Sequence, residues 1–167
     1  MMTAAPLAMV GCGHDIGDAT NGISLHVIGM FAPSFFTGRL ISRFGKVAVT
    51  VTGLALMAAA AITGLSGLAV ANFWIALILL GVGWNFSFIG ATSLVTECYR
   101  PEERVKVQAA NDFLVFGSTA IASFSSGQLL TLSGWNTLNL LMFPPLAIAL
   151  VLVLWQGWRS SQVRTKT

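Results

Sequence analysis

Apolar residues run along this chain in long stretches, not in one-by-one alternation. Stretches of about twenty nearly uncharged residues match a helix crossing a bilayer. A membrane β-strand would instead alternate with a period of two. The pattern predicts five spans, at 21–40, 47–69, 73–96, 107–131 and 135–158. Residues 1–13 are apolar but too short to cross and have no basic start, so they read as the second half of a helix and not as a leader. The expected fold is an all-α membrane protein, a single bundle of five transmembrane helices plus an N-terminal partial helix, with a short tail at 159–167.

Residues within the spans refine this picture. Pro33, one turn after Gly29, predicts a kink with a freed carbonyl. Gly83, Ser87 and Ala91 form a ladder of small residues that lets helix backbones approach closely. Residues 117–127 are nearly all small, which predicts tight packing of that helix on its neighbours. Pro144-Pro145 interrupts the last span, and Trp135, Trp155 and Trp158 mark its ends as interfacial belts. Pro101 suits the first position of a helix, with Glu102 and Glu103 in the first turn.

Charge orients the spans. Only 9% of residues are charged and mean hydropathy is +0.79, whereas soluble domains carry about 25% charged residues. All nine Lys and Arg fall in loop 39–46, loop 97–106 and tail 159–166. These alternate with cation-free segments, so every cation lands on one face of the five-span arrangement. Short basic loops stay cytoplasmic, which puts the N-terminus outside and the C-terminus inside. The basic pI of about 9.3 does not make a nucleic-acid binder, because the cations form no basic face. Cys12 and Cys98 lie on opposite faces and lack metal-ligand spacing. No metal, cofactor fingerprint or phosphate loop is expected. Ser125 and Ser126 have no supporting base, since His14 and His26 lie towards the external face, so no catalytic residues are expected and an enzyme reading is rejected.

The tightest charge cluster is Gly38-Arg39-Leu40-Ile41-Ser42-Arg43-Phe44-Gly45-Lys46. Its plain reading is a positive loop between two spans. Its spacing, Gly-x-Leu-x-x-Arg-x-Gly-Lys, resembles the cytoplasmic loop motif of the major facilitator superfamily, Gly-x-Leu-Ala-Asp-Arg-x-Gly-Arg-Arg, with Ser42 where the family pattern has Asp. The run from His26 to Gly38 resembles the eighth helix of bacterial permeases of that family, and Tyr99 to Arg104 resembles the loop between their tenth and eleventh helices. The resemblance implies a C-terminal half, from the end of helix seven through helix twelve, of a secondary transporter in the bacterial plasma membrane. It implies a small-molecule substrate, alternating access between two bundles, and a missing N-terminal helix bundle as partner. It also implies a cytoplasmic latch built from Arg43, Glu97 and Arg104, which the loss of an acid at Ser42 weakens. The alternative for those charges is a solvated surface.

Five polar or aromatic residues inside the spans are candidates for a solute or ion path: His26, Trp84, Asn85, Asp112 and Asn139. Intramembrane ionisable groups are costly and mark function by default. Each has a plainer reading. His26 can bond a neighbouring carbonyl, Trp84 can face lipid, and Asp112 can form a structural ion pair or sit at headgroup level. A carboxyl at Asp112 is the candidate proton carrier. The competing function class is a membrane assembly subunit with no transport path, favoured if these side chains pair locally or face lipid.

Overall fold

The structure is a computed structural model that describes residues 1–96 and 99–164, with side chains described through Arg159. The order of elements follows from the apolar runs and their breakers. The helices are α1 (Ala4–Gly11), α2 (Ile16–Phe31), α3 (Ser34–Phe44), α4 (Lys46–Ser66), α5 (Val70–Val95), α6 (Arg104–Leu140) and α7 (Phe143–Arg164), with a 3-10 turn at Pro101–Glu103 before α6. The chain is an all-α membrane protein. Among the described residues, Lys46–Ser66, Val70–Val95 and the stretch Pro101–Arg159 are long and apolar enough to cross a membrane.

Breaks fall where backbone chemistry demands them. The stretch 21–40 holds two helices, α2 and α3, parted at Ala32 and Pro33, because proline has no N–H to continue the ladder. A single residue, Gly45, joins α3 to α4 at φ 87°, a left-handed conformation that glycine adopts without a Cβ clash. Gly134 does the same inside α6 at φ 77°. The helix resumes at Trp135 and ends at Leu140, and a turn at 141–142 leads into α7. Pro144 and Pro145 therefore stand in the first turn of α7, where a missing N–H costs little, directly after the break at 141–142 within the stretch 135–158.

Packing centres on α5, with α4 along one side and α2 along another. Glycine makes both approaches possible. A Cβ on Gly83 would stand 2.8 Å from the Gly53 carbonyl oxygen, and one on Gly53 would stand 2.7 Å from the Gly83 carbonyl oxygen. A Cβ on Gly29 would stand 3.1 Å from the Ile78 carbonyl oxygen. The ladder of small residues on α5 is thus used at Gly83 and Ser87 against Gly53 of α4. Backbones this close gain dispersion contacts that lipid cannot match. At the other end of α5, Ala5, Ala8 and Met9 of α1 meet Phe73, Leu77, Trp135 and Leu138 in one buried cluster.

Two packing expectations are corrected here. Trp135 is no interfacial anchor: it is buried, its ring lies 4.9 Å from Phe73, and its indole N–H donates to the Gly64 carbonyl at 2.7 Å. Residues 117–127 do not pack tightly on described neighbours. Gly117 and Gly127 have open space where a Cβ would be, and Ile121 and Phe124 are exposed. Small residues permit close approach but do not by themselves supply the helix that approaches.

Candidate functional site

Asn85 and Trp84 are adjacent on α5 but point to different surroundings, because consecutive helical residues are about 100° apart. Asn85 is buried at the Pro33 break. Its Nδ2 donates to the Met30 carbonyl at 2.7 Å and to Ser34 Oγ at 2.6 Å, and its Oδ1 accepts from Thr37 Oγ1 at 2.7 Å. Thr37 Oγ1 also lies 2.7 Å from the Pro33 carbonyl. Helix ends expose unpaired carbonyls, and in an apolar surrounding each needs a partner. Asn85 supplies one across 55 residues of sequence. Its donors and acceptor are thus engaged in holding α2 and α3 to α5.

Trp84 takes the other face of α5. Its ring stacks on Phe88 at 5.9 Å with an interplanar angle of 8°. Both line an apolar cavity of about 390 Å³ between α4, α5, α6 and α7, together with Thr50, Met57, Ser87 and Val115. Thr50 Oγ1 donates to the Lys46 carbonyl at 2.8 Å. Ser87 Oγ reaches only the thioether sulfur of Met57, at 3.9 Å.

The other candidates lie apart from this cavity. His26 is buried between α2 and α5, with Nδ1 donating to the Leu77 carbonyl at 2.8 Å. Asn139 is buried against α4; its Nδ2 donates to the Trp135 carbonyl at 2.9 Å, while its Oδ1 has no partner. Asp112 accepts a 3.3 Å bond from Asn111 Nδ2 and is half-buried. It lies on an inward stripe of α6 with Gln108, Asn111 and Val115, while Phe113, Leu114 and Phe116 are exposed. Val115, one turn further on, reaches the Trp84 cavity. The structure thus brings Trp84 and the Asp112 stripe to one region and leaves His26, Asn85 and Asn139 in three local contacts.

The basic loop is built around its glycine. Gly45 turns the chain, and Lys46 Nζ donates to the Ser93 carbonyl at 2.9 Å, tying the start of α4 to the end of α5. A cation there meets the negative end of the α5 dipole. Arg43 is exposed with its guanidinium 5.3 Å from the Phe44 ring, and Leu40 lines a shallow apolar groove with Phe44 and Phe86. Gly38, Arg39 and Arg104 are exposed. Glu97, the acid of the expected latch, lies outside the described residues, as does Cys98. Sequence reasoning missed Ser34, Thr37, Ser87 and Phe88. The signal was present, since Phe88 follows Trp84 by four residues and Thr37 follows Pro33 by four, each one helical turn.

A family model described as Major Facilitator Superfamily matches residues 1–166. The chain is 59% identical over 151 residues to a riboflavin transporter of Brucella anthropi, covering 90% of this chain and 38% of that protein. It is 32% identical to an uncharacterised transporter of the same superfamily type from Bacillus subtilis, covering 84% of this chain and 33% of that protein. It is 31% identical to a 4-hydroxybenzoate transporter of Pseudomonas aeruginosa, covering 89% of this chain and 34% of that protein. The chain therefore spans between a third and two fifths of the length of these relatives. No solved structure matches it.

Proposed function

The chain belongs to the major facilitator superfamily, and from that premise we propose that it forms the C-terminal helix bundle of a secondary transporter that carries a flavin or a similar planar aromatic solute across the bacterial plasma membrane. The observation that carries the solute class is the 59% identity to a protein named as a riboflavin transporter. The relative named for 4-hydroxybenzoate, another flat ring compound, points the same way. The mechanism is alternating access: two bundles rock about a solute held near the bilayer midplane. This chain supplies one bundle, and the lipid bilayer and a second, N-terminal bundle complete the carrier. Its N-terminus faces outward and its C-terminus faces the cytoplasm, since that arrangement keeps every cation inside. Asp112 is the proposed proton carrier, and Arg43, Glu97 and Arg104 are the proposed cytoplasmic latch.

The test is uptake of radiolabelled riboflavin by proteoliposomes holding the complete carrier. Saturable uptake that unlabelled riboflavin competes away is the expected result. A carrier that accumulates another solute and neither takes up nor exchanges riboflavin overturns the flavin reading. This chain reconstituted without a second bundle is expected to show no uptake, because it lacks half of the wall around the solute.

A further inference from the structure

Two arginines stand one helical turn apart near the end of α3. Arg39 and Arg43 are both exposed, and a spacing of four residues puts them on one side of the helix. Among the described residues no carboxylate pairs with either. Ser42 beside them is uncharged, and its hydroxyl donates to the Gly38 carbonyl at 2.8 Å. Lys46, the third cation of this turn, is half-buried and donates to the Ser93 carbonyl at 2.9 Å. An apolar groove begins beside the two arginines. Leu40 and Phe44 of α3, Ala48, Val49 and Thr52 of α4 and Phe86 of α5 line about 320 Å³ of open space. The hydroxyl of Thr52 donates to the Ala48 carbonyl at 2.9 Å, so none is left to donate to a polar solute. Arg43 marks the rim, since its guanidinium lies 5.3 Å from the centre of the Phe44 ring. Thr52 is seven residues past Gly45, about 10 Å along α4 at ~1.5 Å per residue. The groove therefore runs from the charged turn into the apolar part of α4.

We propose that this groove binds an anionic phospholipid, with Arg39 and Arg43 holding its phosphate and one acyl chain lying along Leu40, Phe44 and Phe86. Charge complementarity selects this occupant. Guanidinium groups bind phosphate oxygens through charge-assisted hydrogen bonds. Basic residues beside a spanning helix attract anionic lipid. A zwitterionic lipid would fill the apolar part equally well, but its ammonium gains nothing from two arginines. An acid at position 42 would repel the phosphate, and serine does not. The inference goes beyond transport and does not depend on the identity of the solute.

The experiment is a lipid titration of the complete carrier in detergent, read by native mass spectrometry. The probes are dioleoyl phosphatidylglycerol, dioleoyl phosphatidylcholine and glycerol phosphate. Wild type should bind phosphatidylglycerol more tightly than phosphatidylcholine, and glycerol phosphate at the same concentration should not displace it. Arg39→Gln should weaken phosphatidylglycerol about 5-fold, the scale of one arginine at a lipid surface, and leave phosphatidylcholine unchanged. Ser42→Asp should weaken phosphatidylglycerol by a similar factor. Ala48→Phe puts a ring into the groove and should weaken both lipids. All three positions are exposed, so the fold should tolerate each change. None belongs to the proposed latch or proton path, so these outcomes leave the transport reading where it stands. Equal affinity for the two lipids in wild type overturns the proposal, as does a groove that the second bundle covers and no lipid enters. If Arg39→Gln and Ser42→Asp both keep the wild-type affinity for phosphatidylglycerol, the lipid sits elsewhere and the proposal is overturned. If glycerol phosphate displaces the lipid, or Ala48→Phe binds it as wild type does, the arginines hold a phosphate without the groove and the proposal is overturned.

Discussion

Replacing Gly83 by leucine should leave no folded protein, while Gly117→Ala should leave stability unchanged or slightly raised. Both glycines lie within long helices, so each replacement removes a flexible residue and gains helix propensity, about 1 kcal/mol for alanine. What differs is the neighbour. A Cβ on Gly83 would meet the Gly53 carbonyl and the Met57 backbone nitrogen at 2.8 and 3.0 Å, whereas one on Gly117 would meet nothing within 4 Å. Backbone cannot step aside as a flexible side chain can. Gly83→Leu must therefore push α4 from α5, which form the most extensive helix pair among the described residues. Overpacking a core costs roughly 1–3 kcal/mol when only side chains move, and more when helices must separate. Gly83→Ala, the milder change, should lower the melting temperature in detergent. Equal melting temperatures for Gly83→Ala and Gly117→Ala would show that the two helices do not meet as described.

Asp112→Asn should abolish proton-driven uptake by the complete carrier and leave solute exchange largely intact. Asp112 is eight residues into α6, about 12 Å along its axis at ~1.5 Å per residue, and the proposed orientation would put it towards the cytoplasmic end of that span. Its neighbour across the side chain is Asn111, a neutral donor at 3.3 Å. Asp112 shares a half-buried stripe of α6 with Val115, which lines the Trp84 cavity. A carboxyl that takes and releases a proton as the carrier rocks would couple the proton gradient to the solute. Asparagine keeps the shape and the hydrogen bond with Asn111 but cannot carry a proton. Exchange of solute on both sides needs no proton movement, so it should survive. If driven uptake persists and only thermal stability falls, Asp112 is a structural residue.

Helix class and the positions of the main breakers could be read from the chain because they depend on local chemistry. An apolar run must bond its own backbone in a bilayer, and Pro33 and Gly45 end helices wherever they stand. Contacts between distant residues were not legible. Asn85 was a candidate for a solute path from sequence, and the partners of its amide, Met30, Ser34 and Thr37, lie on the helix pair that Pro33 breaks. Nothing within ten residues of Asn85 announces those partners. Trp135 had the flanking position of an interfacial tryptophan, yet the Gly64 carbonyl and the Phe73 ring draw it inside. The small residues of 117–127 showed where a helix can approach without showing which helix does. Trp84 was open between lipid and cavity on sequence alone, and its place beside residues of α4, α6 and α7 in an open apolar cavity depends on contacts distant in sequence.

The account rests on a bundle inserted with all its cations on the cytoplasmic side. Single cysteines report this directly when placed at exposed positions beside the helix breaks, in a background where Cys12 and Cys98 are serine. Leu68→Cys marks the turn between α4 and α5, Ser133→Cys the break at Gly134 in α6, and Ser42→Cys the last turn of α3 beside Gly45; all three positions are exposed in the structure. A membrane-impermeant thiol reagent added to intact cells should label the first two and spare the third until the membrane is opened. Labelling of Ser42→Cys from outside, with Leu68→Cys protected, would contradict the orientation and the transport bundle built upon it.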